Sequence, residues 1–321
     1  MTTVPAARDA RMPGESAWPA LTASAVKREL FGEDLYFRES WADLTDVAGP
    51  DAAVAAGPLA LLSFKCDGIA ARRAGRTLDY LAEHGFSILG SARFRHNRHS
   101  MRELWRYNWH VYATDRLALM TLMHSVTDSV LVIARDDRYD GVVPGSVRLA
   151  DLKGSADPAA RGPEHLRSVL APPNKIINFV HVADEPADIV REAGIFLDRP
   201  ARRELFAEVA AASADTATER AYAEVGRLEA EYPATGFELD AALDLAGLRA
   251  GPDAGARLRF AASGGERLTW DTLCTLIDPS DPGLGIWDFV RIATEVLDAD
   301  RPASADLLPP SSGEEWRARR V

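Results

Sequence analysis

Apolar positions recur at helical spacing in residues 20 to 44, "ALTASAVKRELFGEDLYFRESWADL", where Val26, Leu30 and Leu35 predict one or two short amphipathic helices. The pattern then changes. "VAGPDAAVAAGP" has no period and reads as a linker, and "PLALLSF" after it is an apolar run of strand length. "RRAGRTLDYLAEHGF" returns to helical spacing through Leu78 and Leu81 and stops at Gly85. "FSILGSARF" and "DSVLVIARD" predict the next two strands, with helical stretches around 100 to 107 and 114 to 124 between them. "KIINFVHV" is a fourth strand candidate, and "EPADIVREAGIFL" predicts a helix with Pro186 in its first turn and Gly194 near its end.

Four strands interleaved with helices, without regular alternation, predict an α+β fold rather than a doubly wound sheet. Residues 136 to 175 read as a long irregular section, and a loop of that length is usually functional or disordered. Past residue 200, "RRELFAEVAAA", "ERAYAEVGRLEAEY" and "IWDFVRIATEVLDAD" predict a separate helical region, and "PASADLLPPSSGEE" reads as a tail. Residues 1 to 17 read as a disordered tail as well. The expected organisation is an N-terminal tail and helical segment over 1–56, an α+β domain over 57–200 and a mainly helical region over 201–321. No internal repeat is visible.

Composition narrows the class. A chain of 321 residues with 47% hydrophobic content can bury a sizeable core. Cys66 and Cys274 are the only cysteines, which points to a reduced, intracellular chain without a cysteine metal site. No stretch reaches the roughly 18 apolar residues needed to span a bilayer, so a cytoplasmic protein is expected. A net charge of -11 argues against a broad nucleic-acid surface. Most of the excess acid lies beyond residue 200, with 22 Asp and Glu against 13 Lys and Arg. Residues 141 to 181 are locally basic through Arg148, Lys153, Arg161, Arg167 and Lys175, which leaves room for an anion site.

His181 stands in "NFVHVADEP", at the end of an apolar run. A histidine so placed is more often structural than catalytic, but Glu192 lies on the helix that follows and a strand–turn–helix reversal can return it to the imidazole. A carboxylate that accepts from one ring nitrogen fixes the tautomer and leaves the other as a lone pair, which is what a nucleophilic histidine needs. Arg167 and Lys65 are candidates for neutralising phosphoryl oxygens.

From about residue 59 to 198 the order and spacing of these residues resemble a nucleoside diphosphate kinase domain. The family's Lys-Pro-Asp-Gly is matched by "KCDG" at Lys65 to Gly68, and its Asn-x-x-His by "NFVHVAD". "MHS" at Met123 to Ser125 is matched too. The resemblance implies a ferredoxin-like antiparallel four-stranded sheet, His181 as a transiently phosphorylated nucleophile and Glu192 as the residue that orients it. It implies substrate contacts from Lys65, Tyr107, Arg167 and Asn178, with Arg148 and Lys153 both candidates for a second cation. It implies a ping-pong transfer from ATP to a nucleoside diphosphate with Mg2+, for which Asp184 is the nearest protein ligand, and a homo-oligomer.

Departures from the family are specific. Cys66 replaces a proline, Val182 a glycine, and Ala183 a serine whose hydroxyl lies by the nucleophile and its glutamate. The phosphate-contacting threonine falls on Ala156, with Ser155 as a stand-in, and the base-stacking phenylalanine falls near Asp115 or Leu117. These changes motivate two alternatives: the same phosphohistidine chemistry on a small non-nucleotide acceptor, and a non-catalytic nucleotide-binding scaffold.

Overall fold

The computed structural model describes residues 11–211, 214–301 and 307–319. Its centre is a four-stranded antiparallel sheet built from β1 (Leu59–Phe64), β2 (Phe86–Phe94), β3 (Ser129–Asp136) and β4 (Val180–Val182), in the order β2-β3-β1-β4. Helices fill the connections and both faces, so the fold is α+β with a ferredoxin-like sheet, as the apolar runs predict.

Alternation along each strand divides the core in two. Ala60, Leu62 and Phe64 of β1 join Val130, Val132 and Ala134 of β3 and Val180 and Val182 of β4 on one face. Helices of the C-terminal third, Leu239–Ala250 and Ile286–Val296 among them, extend that cluster. Leu59 and Leu61 share the opposite face with Leu131, Ile133 and Ala183. Helix Pro186–Phe196 and the N-terminal helix Leu35–Ala48 cover it. The first cluster therefore crosses position 200, and the second crosses both 56 and 200. His181 pairs with Ser63 across β1 and β4, and its neighbours Val180 and Val182 take the first face, so its ring falls on the second.

Four stretches differ from their sequence reading. "KIINFVHV" yields strand only over Val180–Val182, because the Asp67 carboxylate captures the amides of Asn178 and Phe179 at 2.9 Å each and Phe179 takes a φ of 70°. Residues 136 to 175 are not one loop, since they contain helices Gly145–Lys153 and Leu166–Leu170, too short to stand out by periodicity. The stretch read as a linker holds a turn of helix, Ala52–Ala55, that buries Ala52 and Ala53. Beyond 306 the expected tail is packed: helix Gly313–Ala318 buries Trp316, while residues 302–306, like residues 1–10, lie outside the described residues. Among the described residues no helix is long and apolar enough to cross a membrane.

Candidate active site

The helix that follows β4 starts where the sequence dictates. Glu185 caps it, bonded to Asp188 in a reciprocal capping box, and Pro186 occupies the first turn, where its missing N–H costs nothing. Eleven residues on from His181, Glu192 comes back to the strand, and its Oε1 lies 2.8 Å from His181 Nε2. A carboxylate oxygen can only accept here, so Nε2 carries the proton and Nδ1 keeps a lone pair that no described residue engages. Trp105 meets the imidazole edge-on, with ring centres 5.8 Å apart. The second Glu192 oxygen, Oε2, is buried and has no partner in the protein. Ala183, fully buried two residues along the chain and on the same sheet face, stands where the resembled family supplies a hydroxyl.

Lys65 begins the short helix Cys66–Ala70 and turns inward. Its Nζ donates to Asn178 Oδ1 at 2.9 Å and to the Ile176 carbonyl at 3.0 Å, with Asp67 Oδ2 at 3.4 Å. Burial lowers its pKa, and the nearby Asp67 only partly opposes that. Gly68 is required by the same contact: a Cβ there would come within 2.4 Å of the Phe179 carbonyl oxygen. Cys66 is buried with its thiol 3.2 Å from the carbonyls of His124 and Thr127, and burial raises its pKa, so it is an inert structural thiol.

Arg167 is buried, with one guanidinium nitrogen donating to Gly154 O at 3.0 Å and another to Val180 O at 3.1 Å. Burial and the neighbouring Arg161 lower its pKa to about 10. Lys153 sits 3.7 Å from Asp184 and burial lowers its pKa too. Tyr107 donates to Asp34 Oδ2 at 3.3 Å and packs on Phe31. Arg148 does not come to the site. It pairs with Asp136 at 2.7 Å, donates to His84 O and lies over Phe86, at the other end of the sheet, because the helix that carries it presents Lys153, one and a half turns on, to the cavity instead.

Two cavities meet at His181. The larger, about 570 Å³, brings together Tyr107, Lys153, Arg167, Asp184 and Glu192. The smaller, about 130 Å³, holds Lys65 and Asn178. His181, Arg167, Trp105, Tyr112 and Ala156 line both.

Sequence reasoning missed the outer wall of the larger cavity, which Lys27 and Phe31 build from the N-terminal side and Leu308, Pro310 and Ser311 from the C-terminal side. Glu185 joins them: Thr22 Oγ1, Ala23 N, Ser311 Oγ and Trp316 Nε1 all donate to it, and Lys27 Nζ lies 2.8 Å away. The one available signal was Lys27 itself, one of four lysines in the chain.

Asp184 retains 37% exposure of its side chain and lines the larger cavity. Burial pushes its pKa up, but Lys153 and Lys27 outweigh that and hold it below the ordinary carboxylate value. Among the described residues no group of three or more His, Cys, Asp or Glu is placed to hold a metal. One ionised carboxylate on a cavity wall fits a magnesium ion bound chiefly by substrate phosphates, and does not fit an all-protein cage.

No protein-family model matches this chain, and no curated protein matches it. Solved structures of nucleoside diphosphate kinases are similar to part of it. That of the Aquifex aeolicus enzyme shares 20% identity over 44% of this chain and 96% of its own, with a TM-score of 0.37. The halophilic enzyme of Halobacterium salinarum, solved in complex with CDP, shares 15% identity over 44% of this chain and 89% of its own, with a TM-score of 0.36.

Proposed function

We propose that this protein is a phosphotransferase that works through a phosphohistidine at His181, moving the γ-phosphoryl group of ATP to a nucleoside diphosphate. The observation that carries the reading is the 2.8 Å contact between His181 Nε2 and Glu192, which leaves Nδ1 as a lone pair at the junction of two cavities lined by cations. In the first step Nδ1 attacks the γ-phosphorus, the bond from phosphorus to the bridging oxygen breaks, and nucleoside diphosphate leaves with that electron pair. Glu192 keeps its hydrogen bond to Nε2–H and stabilises the positive charge the ring acquires. Lys153 and Arg167, which line the larger cavity, would neutralise phosphate charge, and their poor solvation would strengthen each interaction with an anion. A magnesium ion held by Asp184 and the phosphates would add charge neutralisation there. In the second step an oxygen of the acceptor's terminal phosphate attacks the phosphorus, and the N–P electron pair returns to Nδ1.

The test is incubation with γ-labelled ATP and Mg2+. The expected result is an acid-labile, base-stable label that is absent in His181→Ala and is chased off by nucleoside diphosphates. No label on the wild-type protein sinks the reading.

One observation favours a second reading, in which the acceptor is not a nucleotide. The space around Lys65 and Asn178 is about 130 Å³, against about 570 Å³ on the other side of His181, and is walled by Arg116, Met120 and His124. A label that forms but survives the nucleoside diphosphate chase selects this alternative.

A further inference from the structure

The smaller cavity contains an unusual concentration of unpaired polar atoms. Arg116 Nε, Arg167 Nε and His124 Nε2 are all buried without a hydrogen-bond partner in the protein, and all three residues line it. Buried polar atoms in native proteins are nearly always paired, so three on the wall of one small chamber mark a place built for something else.

Their chemistry is complementary to a definite kind of ligand. The two arginine nitrogens are donors on permanent cations, and Lys65 stands beside them. His124 is the opposite. Its Nδ1 lies 2.9 Å from the Met120 carbonyl, to which it can only donate, so Nε2 holds a lone pair. Burial, with Lys65 nearby, lowers its pKa to about 3, which keeps the ring neutral and an acceptor at physiological pH. The chamber is small, about 130 Å³ against about 570 Å³ for the cavity on the other side of His181.

We propose that this chamber binds a small anion that also carries an O–H or N–H donor, with its negative oxygens on Arg116 and Arg167 and its donor on His124 Nε2. An anion of the same shape without the donor would leave His124 Nε2 buried against it with nothing to accept from, and sites of that kind discriminate strongly. His124 thus sets specificity. Identification of this ligand as the phosphoryl acceptor rests on the phosphotransfer reading, whereas its binding does not.

Two isosteric pairs test the inference by equilibrium binding at pH 7: phosphate against sulfate, and glycolate against propionate. In each pair only the first member carries a donor. The expected result is a preference of at least about tenfold for the donor-bearing member of one pair or both, falling to within about twofold in His124→Phe. That substitution keeps a ring between Trp105, at 4.9 Å, and His96, at 5.6 Å. Preference in the phosphate pair alone assigns an inorganic oxyanion, and preference in the glycolate pair alone a small organic acid. The nitrogen resonance of His124 Nε2 in the wild-type protein should move on addition of the preferred anion, a readout that needs no variant. Equal binding within both pairs, no binding of any of the four, a preference that survives in His124→Phe, or an unmoved resonance would each overturn the proposal. A protein that binds as described but takes no label from ATP would retain this site and lose the phosphotransfer reading.

Discussion

Lys65 and Lys27 are both buried lysines at the edges of the His181 site, and their surroundings differ in kind. Lys27 has two carboxylates close by, Asp188 at 2.6 Å and Glu185 at 2.8 Å, and despite burial they raise its pKa above the ordinary lysine value. Lys65 has one carboxylate at 3.4 Å, already engaged by two backbone amides, and its pKa falls. A compensated charge holds structure together. In the proposed reaction the less compensated Lys65 would meet a substrate anion, which divides the two lysines between a frame and a working surface.

The largest expected effect breaks the frame. Glu185→Ala strips Lys27, Thr22, Ser311 and Trp316 of their common acceptor, and loss of a buried pair's partner should cost about 3–5 kcal/mol in denaturant unfolding. A loss under about 1 kcal/mol would mean that Lys27 is not framed by this carboxylate. Next in size, Lys65→Met should cost less stability than Glu185→Ala while ATP-dependent labelling of His181 falls by about 100-fold. A large loss of stability with labelling intact would reverse the two assignments. Acid should act on the frame as well. Burial raises the Glu185 pKa, but Lys27 and the Ala23 amide outweigh it, and the net shift is downward. Its contribution is therefore present above the ordinary glutamate value of about 4.3 and is lost as pH falls through the lowered folded value. Hydrogen exchange across residues 307–319 should accelerate in that acid window. The smallest effect sharpens the working surface: Ala183→Ser offers a donor to the orphaned Glu192 Oε2 and should raise stability by about 1 kcal/mol, read as a shift in the unfolding midpoint.

The working surface was far more legible in the sequence than the frame. "KCDG", "NFVHVAD" and the spacing to Glu192 carry their information within a few residues or one strand–helix reversal, and the structure does set Lys65 against Asn178 and His181 against Glu192. Arg148 and Lys153 were indistinguishable by charge alone, because the face of a nine-residue helix decides between them and that face depends on what it packs against. β4 was overestimated because Asp67, more than a hundred positions earlier, takes the amides a longer strand would have used. The frame was illegible for the same reason on a larger scale. Thr22 and Trp316 reach Glu185 over 163 and 131 positions, and no local period records such a meeting.

The convergence of both flanks on Glu185 also imposes an order on biosynthesis. Chains emerge from the ribosome N-terminus first, and folding units form as they emerge. His181 and Glu192 are made before the segment that contributes Leu308, Pro310, Ser311 and Trp316, so a nascent chain has its imidazole and carboxylate in hand while one side of their cavity is still open to water. Emergence of residues 308 to 316 closes that side, so the pocket is finished only once that segment has been made and has docked.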